Sequence, residues 1–168
     1  MSARPAPGGL TCAGDAAHSD AIILFGPTGD LARKKVFPAL YDLALAGRLD
    51  VPIVGVASSD WSVDDLRDRV RSSLDEEVDG QLDPAALGAI VDRLSYVSGD
   101  YGDDGIFDRV GEALDGAEAP LAYLAIPPSM FETVILGLAR IGANDSGRVV
   151  VEKPFGRDLA SAQELNAT

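Results

Sequence analysis

AIILFGPTGDL, residues 21–31, is predicted to form a strand, a tight glycine turn and the start of a helix. The five apolar residues at its start are typical of a strand buried on both faces of a parallel sheet. Gly26 and Gly29 allow the backbone to turn sharply and to approach a ligand closely. A helix that begins at such a turn directs its free N–H groups at it, and this arrangement suits a phosphate or pyrophosphate.

The composition predicts one globular domain in the cytoplasm. The 168 residues are enough for a single domain with a core, and no apolar run approaches the roughly 20 residues of a membrane span. The N-terminus lacks an apolar signal-peptide core, and the single cysteine, Cys12, excludes an internal disulfide framework. A net charge of −13 argues against nucleic acid as a partner, because a duplex binds a basic surface.

The rest of the chain alternates predicted strands with predicted helices. Residues 1–19 are expected to be a flexible tail and residues 20–168 a single domain. The predicted strands cover residues 21–25, 51–57, 95–98, 121–126 and 148–151. The predicted helices cover residues 31–47, 63–74, 84–94, 104–114 and 131–141, and another begins at residue 159. This order predicts an α/β fold: a Rossmann-type, doubly wound parallel sheet with helices on both faces.

Local signals refine two of these helices. Pro38 lies inside the first helical pattern and cannot donate an N–H, so the helix should kink or restart there. Ser62 is predicted to cap the helix after the second strand, with Asp65 completing a capping box. Residues 76–83 are polar and are predicted to form a loop.

Candidate ligand-binding residues follow four of the predicted strands, at residues 26–30, 58–60, 126–128 and 152–154. In a doubly wound sheet the carboxyl ends of the strands share one edge, and ligands bind there at the switch point. The turn Gly-Pro-Thr-Gly lacks the middle glycine of G-x-G-x-x-G and could be an ordinary turn. The strand before it and the helix after it favour phosphate binding.

Side chains near these strand ends allow two interpretations each. Thr28 offers a hydroxyl inside the glycine loop, and the basic run that begins at Arg33 either screens phosphate charge or is solvated on a helix face. Ser58 ends the second strand, where an acid would favour NAD and an arginine NADP, and Asp60 comes two residues later. The polar residues there could also form a plain strand-to-helix turn.

The residues after the fourth and fifth predicted strands also allow two interpretations each. Ile126, Pro127 and Pro128 form either a turn or a rigid wall against the ribose and nicotinamide. Lys153 follows a buried strand and either donates to substrate or cofactor oxygens or forms a salt bridge with Glu152. The bond between Lys153 and its following proline is a candidate cis peptide, because X–Pro bonds are the ones that adopt this form.

An obvious general base is missing from these strand ends. Hydride transfer from an alcohol needs a base near neutral pH, most often histidine, and the one histidine, His18, lies in the predicted tail. No Ser-His-Asp set, Cys-His set or zinc-ligand cluster can be assembled from the sequence. The pattern therefore predicts dinucleotide binding without an obvious catalytic base.

Three blocks of sequence resemble the glucose-6-phosphate dehydrogenase family. They are FGPTGDLARKK at residues 25–35, YLAIPP at 123–128 and VEKPFGRDL at 151–159, with YVSG at 96–99 as a weaker fourth. The resemblance covers residues 20–168 and implies the N-terminal NAD(P)-binding domain of that family. The family oxidises glucose 6-phosphate at C1 to 6-phosphogluconolactone in the pentose phosphate pathway and passes hydride to NADP, sometimes to NAD.

The resemblance also implies roles for individual residues. Lys153 matches the catalytic lysine that touches both substrate and coenzyme, and Pro154 matches a cis proline that helps to set that lysine. The coenzyme pyrophosphate would be held by the glycine loop and the start of the helix: Gly26, Pro27, Thr28, Gly29, Asp30, Leu31 and Arg33. The family enzymes are usually dimers or tetramers.

The sequence departs from the family pattern in three places. Ser58 stands where NADP-selective members carry arginine, and Phe131 stands where many members have tyrosine. The catalytic histidine block and a large β-sheet domain lie downstream of the matched region in the family. We therefore expect NAD(P) binding without turnover, glucose 6-phosphate binding only in the full enzyme, and self-association through exposed apolar surface. The alternatives are a stand-alone dinucleotide-binding regulatory module and an unrelated nucleotide-binding protein.

Overall fold

Five parallel strands form one sheet in the computed structural model, which describes residues 18–152. The strands lie in the order β3-β2-β1-β4-β5. Their bounds are Ile22–Phe25 for β1, Ile53–Ala57 for β2, Leu94–Ser98 for β3, Leu121–Leu124 for β4 and Arg148–Val151 for β5. The predicted α/β, doubly wound parallel sheet is confirmed. Residues 1–17 of the predicted tail and the predictions for residues 153–168 lie outside the described residues.

Helices cover both faces of the sheet. They are a π-helical turn at Ala32–Val36, α1 at Phe37–Leu45, α2 at Val63–Glu77, α3 at Pro84–Val91, α4 at Asp104–Leu114, a 3₁₀ turn at Pro128–Met130 and α5 at Phe131–Arg140. Helices α1 to α3 bury Leu24 and Ile53 on one face, and α4 and α5 bury Phe25 and Val56 on the other. Within residues 18–152 no helix is both long enough and apolar enough to cross a membrane.

Several predicted boundaries were wrong, among them the start of β2, predicted at residue 51 and found at Ile53. Helix α2 continues to Glu77, into the predicted loop, and the strand predicted to reach residue 126 ends at Leu124. Helix α3 ends at Val91, and Leu94, predicted to be its last residue, is the first residue of β3. Leu94 pairs with Ile53 of β2 and is buried, so sheet pairing overrides its helical tendency.

The predicted capping box at the start of α2 is confirmed. The Ser62 hydroxyl accepts the backbone N–H of Asp65 at 3.2 Å, and the Asp65 carboxylate accepts the backbone N–H of Ser62 at 2.7 Å. The Ser62 hydroxyl also donates to the Asp65 carboxylate, at 2.7 Å. This hydrogen bond, and then the one from the Ser62 backbone, lower the pKa of Asp65 below its usual range, because both favour the ionised carboxylate. The cap fixes where α2 begins, and so fixes which of its side chains face the glycine loop.

The first helix is irregular just before Pro38, which agrees with the predicted kink or restart. The N–H of Phe37 bonds to the carbonyl of Ala32, one residue further back than in an α-helix. Pro38 has no N–H, so neither helical pattern supplies a donor for the carbonyl of Arg33. The hydroxyl of Ser73 on α2 donates to that carbonyl at 2.6 Å, and Ser73 is fully buried.

We predict that Ser73→Ala lowers the free energy of unfolding by about 1–3 kcal/mol, because it leaves the partly buried carbonyl of Arg33 without its donor. Urea denaturation of the chain measures the loss. Ser72→Ala is the matched control, since Ser72 is the exposed neighbour on the same helix. Equal stability of the two variants would show that the Ser73 hydrogen bond contributes nothing.

Candidate functional site

The candidate site lies at the switch point of the sheet, between the carboxyl ends of β1 and β4. Strands β2 and β4 flank β1 on its two sides: the chain adds β2 and β3 on one side of β1 and then crosses back to add β4 and β5 on the other. Gly26 follows β1 with φ at 79°, and its N–H donates to the Val56 carbonyl at 2.9 Å. A Cβ on Gly26 would overlap the Ala125 carbonyl oxygen and lie 2.9 Å from Cγ2 of Ile126. The predicted loops after β1 and β4 are therefore brought together, as a dinucleotide crevice requires.

Gly29 leaves open space at the tip of the same loop. Its N–H donates to the Gly26 carbonyl at 3.2 Å, and its own carbonyl accepts the N–H of Arg33 at 3.2 Å. A Cβ on Gly29 would meet only the Gly26 carbonyl oxygen, at 3.5 Å, and Gly29 is exposed. The backbone is thus bare on the side where a phosphate would approach.

The helix that follows this loop begins at Asp30, and the Gly29 carbonyl accepts its first helical hydrogen bond, from Arg33, so the residue at the cap position is a glycine without a side chain. In contrast, α2, α3 and α4 are capped by the side chains of Ser62, Asp83 and Asp103. Free N–H groups at a helix start, next to a bare glycine, fit the pyrophosphate of a dinucleotide. The chemistry of this loop therefore fits the pyrophosphate of the predicted coenzyme.

The turn after β2 is held against the glycine loop. The hydroxyl of Ser59 lies 3.4 Å from the hydroxyl of Thr28. The Ser59 carbonyl accepts the hydroxyls of Tyr96 at 2.8 Å and Ser98 at 2.9 Å, both from β3. Burial, and then the charge of Asp60, raise the pKa of Tyr96 above its usual range, so its hydroxyl remains a donor.

The sequence prediction missed Ser59, Tyr96 and Ser98 as supports of the turn. One sequence feature could have indicated Tyr96 and Ser98: both are polar and they lie two residues apart, so they share one face of a strand. The predicted residue Ser58 is exposed at the end of β2. Its neighbour Ser59, and not Ser58, contacts Thr28 through its hydroxyl.

Arg33 is engaged by acidic side chains. Its guanidinium pairs with Glu76 of α2, and further carboxylate oxygens lie 3.9 Å away on Glu77 and 3.8 Å away on Asp30. Lys34 and Lys35, the next two residues, are exposed. A phosphate contact by Arg33 therefore stays a prediction, and it would compete with these carboxylates.

Arg69 is a second cation at the loop, and the sequence prediction missed it. Its Nη2 donates to the Thr28 carbonyl at 3.3 Å. Arg69 lies four residues before Ser73 on α2, and residues at this spacing share one face of a helix. This helical spacing could be read from the sequence, but the partner of Arg69, Thr28, lies 41 residues earlier in the chain and could not.

The remaining predicted contacts line the crevice or support it. Ile126 is half-buried, and Pro127 and Pro128 are exposed where the 3₁₀ turn begins. Pro27 is buried and Leu31 is half-buried beside the loop. Phe131 is buried in the core shared by α4 and α5.

Tyr101, also missed, supports the end of β1 from below the loop. Its hydroxyl donates to the Val56 carbonyl at 2.9 Å, and its ring packs edge-on against Phe25 with centroids 5.6 Å apart. Burial raises the pKa of Tyr101 to about 12, so the phenol stays protonated. The carbonyl of Val56 therefore joins Tyr101 to Gly26, which also donates to it.

Tyr123 of β4 donates its hydroxyl to the carboxylate of Glu152, which follows β5. Burial and this hydrogen bond raise the pKa of Tyr123 to about 12. Lys153 and Pro154, the next residues along the chain, lie outside the described part. Both Tyr123 and Glu152 line a groove of about 880 Å³ that runs along α1 past Lys35. Within residues 18–152 no group of three His, Cys, Asp or Glu side chains is placed to hold a metal ion.

Comparisons with known proteins agree on one family. Residues 23–168 match the family model described as glucose-6-phosphate dehydrogenase, NAD binding domain. The chain is similar to glucose-6-phosphate 1-dehydrogenase 1 of Mycobacterium tuberculosis, with 45% identity over 92% of this chain and 33% of that protein.

Two solved structures of the same kind match the fold. The glucose-6-phosphate 1-dehydrogenase of Mycobacterium avium has a TM-score of 0.83 and 45% identity, over 89% of this chain and 33% of that one. A glucose-6-phosphate dehydrogenase in complex with its substrate glucose 6-phosphate has a TM-score of 0.76 and 35% identity, over the same shares. The chain thus spans about a third of the length of these relatives.

Proposed function

Because the chain belongs to the glucose-6-phosphate dehydrogenase family and corresponds to its NAD-binding domain, we propose that it binds NADP, with NAD as a second coenzyme, at the glycine loop. The observation that carries this proposal is the bare, exposed Gly29 at the cap position of the following helix. The pyrophosphate would lie against Gly26, Pro27, Thr28, Gly29, Asp30 and Leu31. Ser58 would face the adenosine ribose, and Ile126, Pro127 and Pro128 would form the opposite wall.

We further propose that this domain serves the oxidation of glucose 6-phosphate in the cytoplasm, as part of the pentose phosphate pathway. A nicotinamide bound at this site would be the acceptor for the hydride that leaves C1 of the sugar. Lys153 would donate hydrogen bonds to substrate and coenzyme, and Tyr123 would hold the preceding Glu152 in place. Val149 is 39% exposed on β5, which is the edge strand of the sheet within residues 18–152, and this exposed apolar side chain supports the proposed self-association.

The family assignment excludes one of the two alternative functions and leaves the other without support. Membership of this family excludes an unrelated nucleotide-binding protein. A stand-alone regulatory module gains no support from the relatives, since those compared are named as glucose-6-phosphate dehydrogenases. The conclusion is a coenzyme-binding domain of that enzyme.

We predict that the chain binds NADP and that Gly29→Ala weakens this binding about tenfold or more, a loss of about 1.4 kcal/mol or more. The new Cβ would occupy the space left for phosphate, while its only protein neighbour is at an ordinary contact distance. Isothermal titration calorimetry measures the affinity, and the single tryptophan, Trp61, in the turn after β2 gives an independent fluorescence signal.

The control is Gly88→Ala, because a Cβ on this α3 glycine meets nothing within 4 Å. Both variants should melt near the temperature of the unaltered chain. Absence of NADP and NAD binding by the unaltered chain would contradict the proposed function. Unchanged affinity of Gly29→Ala would move the coenzyme away from this loop.

A further inference from the structure

Arg69 of α2 contacts the glycine loop with only one of its hydrogen-bond donors. Its Nη2 donates to the Thr28 carbonyl at 3.3 Å. Its Nε is buried and, within the described residues, has no hydrogen-bond partner. A guanidinium has five N–H donors, so Arg69 retains donors beyond the one that the loop occupies.

The arginines nearest to Arg69 in α2 are neutralised by carboxylates. Arg67 pairs with Asp64 at 2.8 Å, and Arg71 pairs with Asp68 at 2.8 Å. Within residues 18–152 no carboxylate forms a salt bridge with Arg69. Its charge is therefore available to an anion outside the protein.

Thr28 joins Arg69 to the turn after β2. The Thr28 carbonyl accepts Arg69, while the Thr28 hydroxyl lies 3.4 Å from Ser59 at the end of β2. In folds of this kind the adenosine ribose lies between the glycine loop and the end of the second strand, and an arginine nearby accommodates a 2′-phosphate. The end of β2 carries serines at 58 and 59 in this chain.

We propose that Arg69 recognises the adenosine 2′-phosphate of NADP, from α2 and not from the end of β2. This inference rests on the proposed function and adds to it a residue that determines coenzyme specificity. A planar guanidinium pairs with phosphate through two parallel hydrogen bonds, which a serine hydroxyl cannot do. The exposed carboxylate of Asp60 lies in the same turn as Ser59 and acts in the opposite direction, since it repels a 2′-phosphate.

The test compares Arg69→Gln with Arg71→Gln. Arg71 is the control because its side chain is exposed and already paired with Asp68. Calorimetric titrations use NADP and NAD, and then 2′,5′-ADP and 5′-AMP as minimal probes. Arg69→Gln should weaken NADP and 2′,5′-ADP about 10- to 100-fold, the range for hydrogen bonds to charged groups. NAD and 5′-AMP should change less than about twofold, and Arg71→Gln should leave all four affinities unchanged.

Two variants check the assignment further. Arg69→Lys, which keeps the charge, should retain part of the preference for NADP, and Asp60→Asn should strengthen NADP binding over NAD. An equal loss of NADP and NAD in Arg69→Gln would show that Arg69 only holds the Thr28 carbonyl, and would overturn the inference. Equal affinity of all variants for NADP would overturn it as well. If the unaltered chain binds neither dinucleotide, the proposed function fails first.

Discussion

Gly26→Ala is expected to lower the free energy of unfolding by about 3–5 kcal/mol, among the largest effects of a single substitution. Two causes add. An L-residue at φ of 79° is strained by about 1–2 kcal/mol, and the new Cβ would overlap the backbone carbonyl of Ala125. Backbone cannot move aside as a side-chain tip can, so β1 and β4 would have to separate at their carboxyl ends.

Gly47→Ala separates these two causes. Gly47 also has a positive φ, of 66°, but a Cβ there meets nothing within 4 Å. This control should lose only the strain, about 1–2 kcal/mol. Urea denaturation of both variants gives the difference, which is the energy of the close approach between the two loops. If Gly26→Ala is no less stable than Gly47→Ala, the two loops do not meet as described.

Gly137→Ala should be the second large effect, a loss of about 1–3 kcal/mol or more from overpacking. Gly137 of α5 is buried, and a Cβ there would overlap the ring of Phe107 on α4. That ring lies 6.4 Å from the ring of Phe25, centroid to centroid, and Phe25 is the residue before Gly26. The substitution therefore presses on the strand that ends in the coenzyme loop.

Thermal and urea unfolding measure this effect, with Gly111→Ala on α4 as control. A Cβ on Gly111 would contact Ile141 at an ordinary 3.8 Å, so this variant should be neutral or slightly stabilised. Phe107→Leu should restore part of the stability of Gly137→Ala, and a double-mutant cycle isolates their interaction. Additive losses in that cycle would mean that the two side chains do not meet.

Short-range patterns were enough to predict the fold class and the capping box. The strand before Gly26 and the box of Ser62 and Asp65 involve residues a few positions apart, and their physics is local. The end of α3 was misplaced, because Leu94 is drawn into the sheet by pairing with Ile53. A partner 41 residues away leaves no trace in the local pattern.

The candidate site divides in the same way. Gly26, Gly29 and the segment from Ile126 were predictable, because parallel strands bring their carboxyl ends to one edge. The hydrogen bonds of Arg69 to Thr28 and of Ser73 to the Arg33 carbonyl were not. They depend on how α2 lies beside the first helix, which only the packed core determines.

Because of those two hydrogen bonds, the number of residues in α2 matters as well as their identity. Arg69 and Ser73 lie about one turn apart and contact successive parts of the same loop and helix start. Inserting one residue between the cap at Ser62 and Arg69 would rotate both side chains by about 100° around the helix axis. Substitutions on the solvent face of α2 leave this alignment intact, whereas an insertion or deletion shifts both contacts at once. Natural variation in this helix should therefore replace residues and conserve their number.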